Sequence, residues 1–221
     1  MELLIAILLL IITLGFYLYI EFTYNKYKST KIKSNLSGFE IARKMIDNYD
    51  LNNVYITETN ETLFSRYDAS RKVIRLRKEV FNDESLTSCA VSAMEAAHCI
   101  QDKKNNKLLK FRNNIYPFLN ILLLTGYLIT IIGFLFGHKN TLLVGVSIEY
   151  LLLLFHLCTY SIEKEAKKIA LIELVGDSII NKKETKRIEK LLNVTAFSNF
   201  ASIIFPVVQL IKKLIDFGKS N

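Results

Sequence analysis

Long stretches with almost no charge constrain this chain most. Residues 3–20 and 115–137 contain no charged side chain, and residues 141–162 contain one, Glu149. As helices, each is long enough for the ~30 Å apolar core of a bilayer. A fourth apolar stretch, residues 191–211, holds Asn193, Asn199 and Pro206; it either crosses or lies along the surface. The expected fold class is therefore mostly α: a polytopic membrane protein with three or four transmembrane helices. The spans fall at 1–20, 115–137, 141–162 and, if it crosses, 191–211. Residue 2 is Glu where a cleaved signal would be basic, and YLYIEF offers no small-residue cleavage site, so the first span reads as a retained anchor.

The charge distribution sets orientation and excludes one class of partner. The chain carries 29 Lys and Arg against 21 Asp and Glu, a formal net charge of +8. Nucleic acid is not expected, because the basic residues border the apolar runs and do not gather on one soluble face. Lys26, Lys28, Lys31 and Lys33 follow the first run, and Lys103, Lys104, Lys107, Lys110 and Arg112 precede the second. By the positive-inside rule, residues 21–112 and the basic helical segment 164–190 are cytoplasmic, in a multi-pass protein of the cell membrane. The expected partners are the bilayer itself, anionic lipid at these basic collars, and a membrane-protein or peptide partner. Cys89 and Cys99 lie ten positions apart in one predicted helix and Cys158 in an apolar run, so no disulfide framework is expected.

Residues 21–112 read as a small α+β lobe. Phe39, Ile41, Ala42, Met45 and Ile46 have helical spacing behind a Ser37 cap. Short strands are expected at 54–57, 62–67 and 73–76. The longest helix covers 82–101, NDESLTSCAVSAMEAAHCIQ, with Asn82 as cap and Asp83 and Glu84 in its first turn. It carries M-E-A-A-H, Met94 to His98. With His at position 94 this would be H-E-x-x-H, in which two imidazoles one turn apart hold zinc and the Glu serves as general base. Taken alone, Glu95 and His98 are an ordinary polar pair on an Ala-rich helix.

The surroundings add to this. LSGFEIARKMIDNYDLNNVYI (36–56), RYDASRKVIRL (66–76), SLTSCAVSAMEAAHCIQ (85–101), LLKFR (108–112) and FHLCTYSIEKEAKKIAL (155–171), together with the opening apolar helix, resemble in order the YugP-like family of membrane zinc metallopeptidases. In that family the helix reads H-E-x-G-H-A-I-Q, and a later V-E-F-x-A supplies a third metal ligand. The resemblance implies Glu95 as catalytic base, His98 and Glu163 as metal ligands, Met94 as a degenerate metal position, and Gln101 as the Gln that ends the motif. It implies zinc as the family's cofactor. The family's H-Y-D-P appears here as Arg66, Tyr67, Asp68 and Ala69, which removes a second histidine.

Glu149, His156 and Glu163 recur every seven residues and share one helical stripe. Glu149 is expected inside the helical bundle, and His156 against a neighbouring carbonyl. A catalytic zinc needs three protein ligands and an open position. Here two remain, His98 and Glu163, and a Met thioether suits Cu(I) better than zinc. His156 lies roughly 10 Å along the axis from Glu163. The expectation is a catalytically degraded family member acting as an interaction or regulatory partner. The alternatives are an active membrane zinc metallopeptidase that borrows a donor, and a small lipid-binding protein. A guanidinium, that of Arg66, could stand in the old metal pocket.

Overall fold

The computed structural model describes residues 2–60 and 65–201. The chain divides into two compact units: Met1–Tyr19, Asn114–Thr159 and Ser198–Asn221 form one, and Ile20–Asn113 with Tyr160–Phe197 form the other.

The second unit holds the motif helix. It begins within α1 (Glu2–Lys28), and Ser37 then starts α2 (Gly38–Asp47) with a capping box. The Ser37 N–H donates to Glu40 Oε2 at 2.8 Å, and the Glu40 N–H donates back to Ser37 Oγ at 3.3 Å. The apolar stripe Ile41, Ala42, Met45, Ile46 is buried, each large side chain contributing about 1.5–3 kcal/mol. Gly38 leaves no room for a side chain unless its neighbours shift: a Cβ would lie 2.2 Å from Val80 O and 2.5 Å from Ser92 Oγ.

Strands β1 (Tyr55–Thr59), β2 (Arg66–Asp68) and β3 (Val73–Arg77) form one sheet in the order β1-β3-β2. β1 runs parallel to β3 with Tyr55 opposite Val73, and β2 runs antiparallel with Tyr67 opposite Ile74. The strand expected at 62–67 lies partly outside the described residues; the part that is described pairs from Arg66 onward. After the short α3 (Lys78–Phe81) comes α4 (Leu86–Lys103). Its cap is Ser85, not Asn82: Ser85 Oγ accepts the Ser88 N–H at 3.1 Å, and Asp83 Oδ2 accepts Ser88 Oγ–H at 2.6 Å. The acidic residues expected in the first turn therefore lie just before it. Every residue of α4 from Leu86 to Asp102 is buried. The many Ala and Ser residues let neighbours approach from all sides, so α4 forms the spine of this unit.

In the first unit, α5 (Lys107–Leu135) and α6 (Lys139–Gly176) form an antiparallel hairpin around Gly137, whose φ of +66° favours glycine. Both helices continue into the second unit. The arms approach closely where side chains are smallest: a Cβ on Gly133 would meet Leu142 N at 2.4 Å. Thr130 Oγ1–H donates to Glu149 Oε1 at 2.9 Å, satisfying the carboxylate expected inside the bundle. Phe118, Ile121, Leu135 and Leu151 are exposed on the outer faces.

The polytopic membrane architecture needs correction. Among the described residues no helix is long and apolar enough to cross a membrane. The helices run past the apolar stretches, so neither α5 nor α6 is apolar over its whole length. α5 includes Lys107, Lys110 and Arg112, and α6 continues through Glu163, Lys164, Glu165, Lys167 and Lys168. Within the runs, Asn120, Thr125, Thr130, Ser147, Glu149 and Thr159 recur every few residues. The multi-pass topology and its inside–outside assignment lose their basis with the spans. α7 (Lys182–Ala201) starts behind Asn181, whose Oδ1 accepts the N–H groups of Lys183 and Glu184 at 2.8 and 3.0 Å. The rest of the 191–211 stretch lies outside the described residues, as does the side chain of His156.

Candidate functional site

The site is built where α4 meets the start of α5 and the middle of α6. Met94, Glu95, His98, Gln101 and Asp102 come from α4, Arg112 from α5, and Ile162, Glu163 and Glu165 from α6. Positions 94 and 98 are one helical turn apart and share a face, which is why the motif needs that spacing.

His98 and Glu163 are brought together, with Nε2 3.2 Å from Oε2 and both side chains almost wholly buried. The other carboxylate oxygen, Oε1, accepts from Arg112 Nη1. On the far side of the ring, His98 Nδ1 faces Gln101 Oε1 at 2.9 Å. The amide cannot be turned the other way, because Gln101 Nε2 donates to Ile162 O at 3.0 Å and to Glu165 Oε2 at 2.8 Å. Both ring nitrogens therefore face acceptor oxygens. Burial alone would push the His98 pKa down, but the Glu163 charge and hydrogen bond outweigh it and the pKa is raised. Burial likewise acts to raise the Glu163 pKa, and the charges of His98 and Arg112 bring it below its usual value.

Glu95 is buried beside this pair, and its Oε2 accepts the backbone N–H of Tyr67 at 2.7 Å. Burial, with the nearby Glu163 charge, raises its pKa to about 7 against the opposing pull of His98, that N–H and Arg112. A carboxyl poised near neutrality has the proton affinity of a general base. Two turns further along α4, Asp102 Oδ2 accepts Tyr67 Oη–H at 2.9 Å and pairs with Lys72 Nζ at 2.5 Å, tying the sheet to the helix.

The remaining predicted residues fall elsewhere. Met94 is 1% exposed and belongs to the apolar core. Arg66 stands in β2, where its charge helps depress the Asp68 carboxyl, which burial acts to raise. The guanidinium on Glu163 comes from Arg112. Glu149 belongs to the other unit, with Thr130 as its partner. Sequence reasoning missed the role of Arg112 because five basic residues in a row of ten read as one exposed collar. Arg112 differs from the four lysines by its guanidinium and by its burial, its side chain being 13% exposed.

These donors fall short of a zinc sphere. His98 Nε2 and Glu163 Oε2 supply two, and the other position of the motif helix, Met94, offers a thioether. Among the described residues no group of three or more His, Cys, Asp or Glu could hold a metal ion. Cys99, next in sequence, points elsewhere: its thiol is hydrogen-bonded with Tyr67, and burial pushes its pKa up to about 11. The residues present do not fit a catalytic zinc.

The chain is 26% identical over 215 residues to the protein of Bacillus subtilis (strain 168) named "Putative membrane protease YugP", an alignment that covers 96% of each chain. No solved structure matches it. Residues 2–217 match the family described as "Putative neutral zinc metallopeptidase". The chain, with Met94 in its motif helix and a carboxylate–imidazole pair beside it, therefore belongs to that zinc metallopeptidase family.

Proposed function

We propose that this family member does not hydrolyse peptide bonds and works instead as a binding or regulatory partner. One observation carries the reading: Glu163 is already neutralised by His98 and Arg112, while the position that should complete a metal sphere is Met94. Without a metal to bring the pKa of water down to about 7, Glu95 has no activated nucleophile to assist. Membrane association is supported by the relative's name, by the exposed apolar faces of α5 and α6, and by the basic residues Lys103, Lys104, Lys107 and Lys110. Anionic lipid at those lysines and a membrane-associated protein or peptide are the partners proposed.

The test is zinc analysis of the purified chain after dialysis against a weak chelator. Less than a tenth of an equivalent is roughly the level expected of a site short of ligands. One equivalent of zinc, lost on Glu163→Ala, would sink the reading. It would favour the second one: an active metallopeptidase with Glu95 as base and a third donor from another chain. The raised pKa of Glu95 is the observation in its favour.

A further inference from the structure

The mismatch between these donors and zinc is confined to one position, and the surrounding groups keep a defined arrangement. We infer that the site is a zinc scaffold short of a single corner, and that Arg112 is the positioning residue that keeps Glu163 turned toward His98. The inference rests on the reading of the native chain as metal-free.

Three observations support it. Two ligands on a tetrahedral zinc, each about 2.0–2.2 Å from the ion, stand about 3.3–3.5 Å apart. His98 Nε2 and Glu163 Oε2 are 3.2 Å apart, close to such an edge. The second is orientation. Metal-binding imidazoles hold their other nitrogen on a fixed acceptor. His98 Nδ1 faces Gln101 Oε1, and Gln101 is itself locked by Ile162 O and Glu165. The third is the division of labour on Glu163. Arg112 takes Oε1 and leaves Oε2 facing the ring, so the carboxylate is held by one oxygen and presented by the other. Position 94, one turn before His98, is where a third donor would close the sphere, and it holds a buried thioether.

Arg112 could act in two opposing ways. As a positioning group it would support metal affinity, and losing such a partner weakens affinity about 10–100-fold. As a competing cation it would lower affinity, and its removal would raise it. Its contact with Oε1, while Oε2 faces the ring, favours the first.

The experiment measures zinc affinity by competition with a chromophoric chelator, using the whole purified chain. Met94→His and the smaller donor Met94→Cys are compared with wild type, each with Arg112 present and with Arg112→Gln or Arg112→Lys; circular dichroism checks that each variant folds. The expected result is about one zinc per chain in at least one folded Met94 variant. Adding Arg112→Gln should then loosen binding about 10–100-fold, and Arg112→Lys should recover part of that loss. Folded Met94→His and Met94→Cys chains that take up no more zinc than wild type overturn the inference. So does unchanged or tighter binding after Arg112→Gln. Should neither Met94 variant fold, side-chain nitrogen NMR of the wild type decides the positioning role. A guanidinium of Arg112 with restricted rotation, freed by Glu163→Gln, supports it, and unrestricted rotation in the wild type overturns it. Stoichiometric zinc in the wild type itself is a separate outcome: it removes the metal-free reading, and this inference with it.

Discussion

His98 Nε2 and Glu163 Oε2 stand 3.2 Å apart inside the protein, joining α4 to α6, and Arg112 completes the pair from α5. Three helices thus converge on one carboxylate. Burying that charge is costly unless it is paired, so the cluster behaves as a unit. Removing Glu163 strands both cations, whereas removing it together with Arg112 need not.

This gives a double-mutant cycle. Glu163→Gln should cost about 3–5 kcal/mol, because it leaves the Arg112 guanidinium without its carboxylate in a mostly buried site, and Arg112→Met should cost less, because His98 still pairs with Glu163. The double variant should cost clearly less than their sum. Denaturant unfolding of the four proteins measures this, and strict additivity would show that the contact contributes nothing.

Met94 provides the complementary test. At 1% exposed within the apolar core, it should accept Met94→Leu for less than about 1.5 kcal/mol, as a nearly volume-conserving change. Partner binding or cellular phenotype should survive it. A loss of function with the fold intact would assign the thioether a chemical role.

How much of this could be read in advance depends on whether the signal is local. The α2 helix is legible because its cap and apolar stripe are contiguous, as Ser37, Glu40, Ile41 and Met45 show. The motif helix is legible in type, while its start shifts to Ser85 because Asp83 serves the capping serines from outside. The meeting of His98 with Glu163 has no local signature; all of α5 separates them, and only the family resemblance placed them together. Arg112 was hidden for a different reason: charge patterning cannot tell a buried cation from four exposed ones. The apolar runs did not mark the helix ends, since helix boundaries follow backbone hydrogen bonding, and α6 continues from Lys139 to Gly176 across the polar Glu163–Lys168 stretch.

Gly38 tests the packing that holds α4. A Cβ there would lie 2.2 Å from the carbonyl oxygen of Val80, a backbone atom that cannot swing aside. Gly38→Ala should therefore destabilise by about 1–3 kcal/mol, although alanine is the better helix former. Thermal unfolding checks the sign, and a stabilised variant would mean that α2 and α3 are more loosely packed.

Glu95 gives a prediction whose sign depends on pH. Burial, with the Glu163 charge, raises its pKa to about 7 in the folded chain, well above an ordinary glutamate. The folded state then binds the proton more tightly than the unfolded state between the ordinary value, about 4.3, and about 7. Stability from this group is fully present below that window and is lost as pH rises through it. Glu95→Gln removes the titration but keeps an oxygen for the Tyr67 N–H. The variant should thus gain on wild type as pH increases, by on the order of 2–3 kcal/mol between pH 4 and pH 8. Glu163 and His98 titrate in both proteins, so their effects largely cancel in the difference. Parallel urea unfolding across that range measures it. A difference that stays flat would mean Glu95 ionises as it does in water, and a buried carboxyl beside Glu163 could not do so without a cation closer than His98 or Arg112.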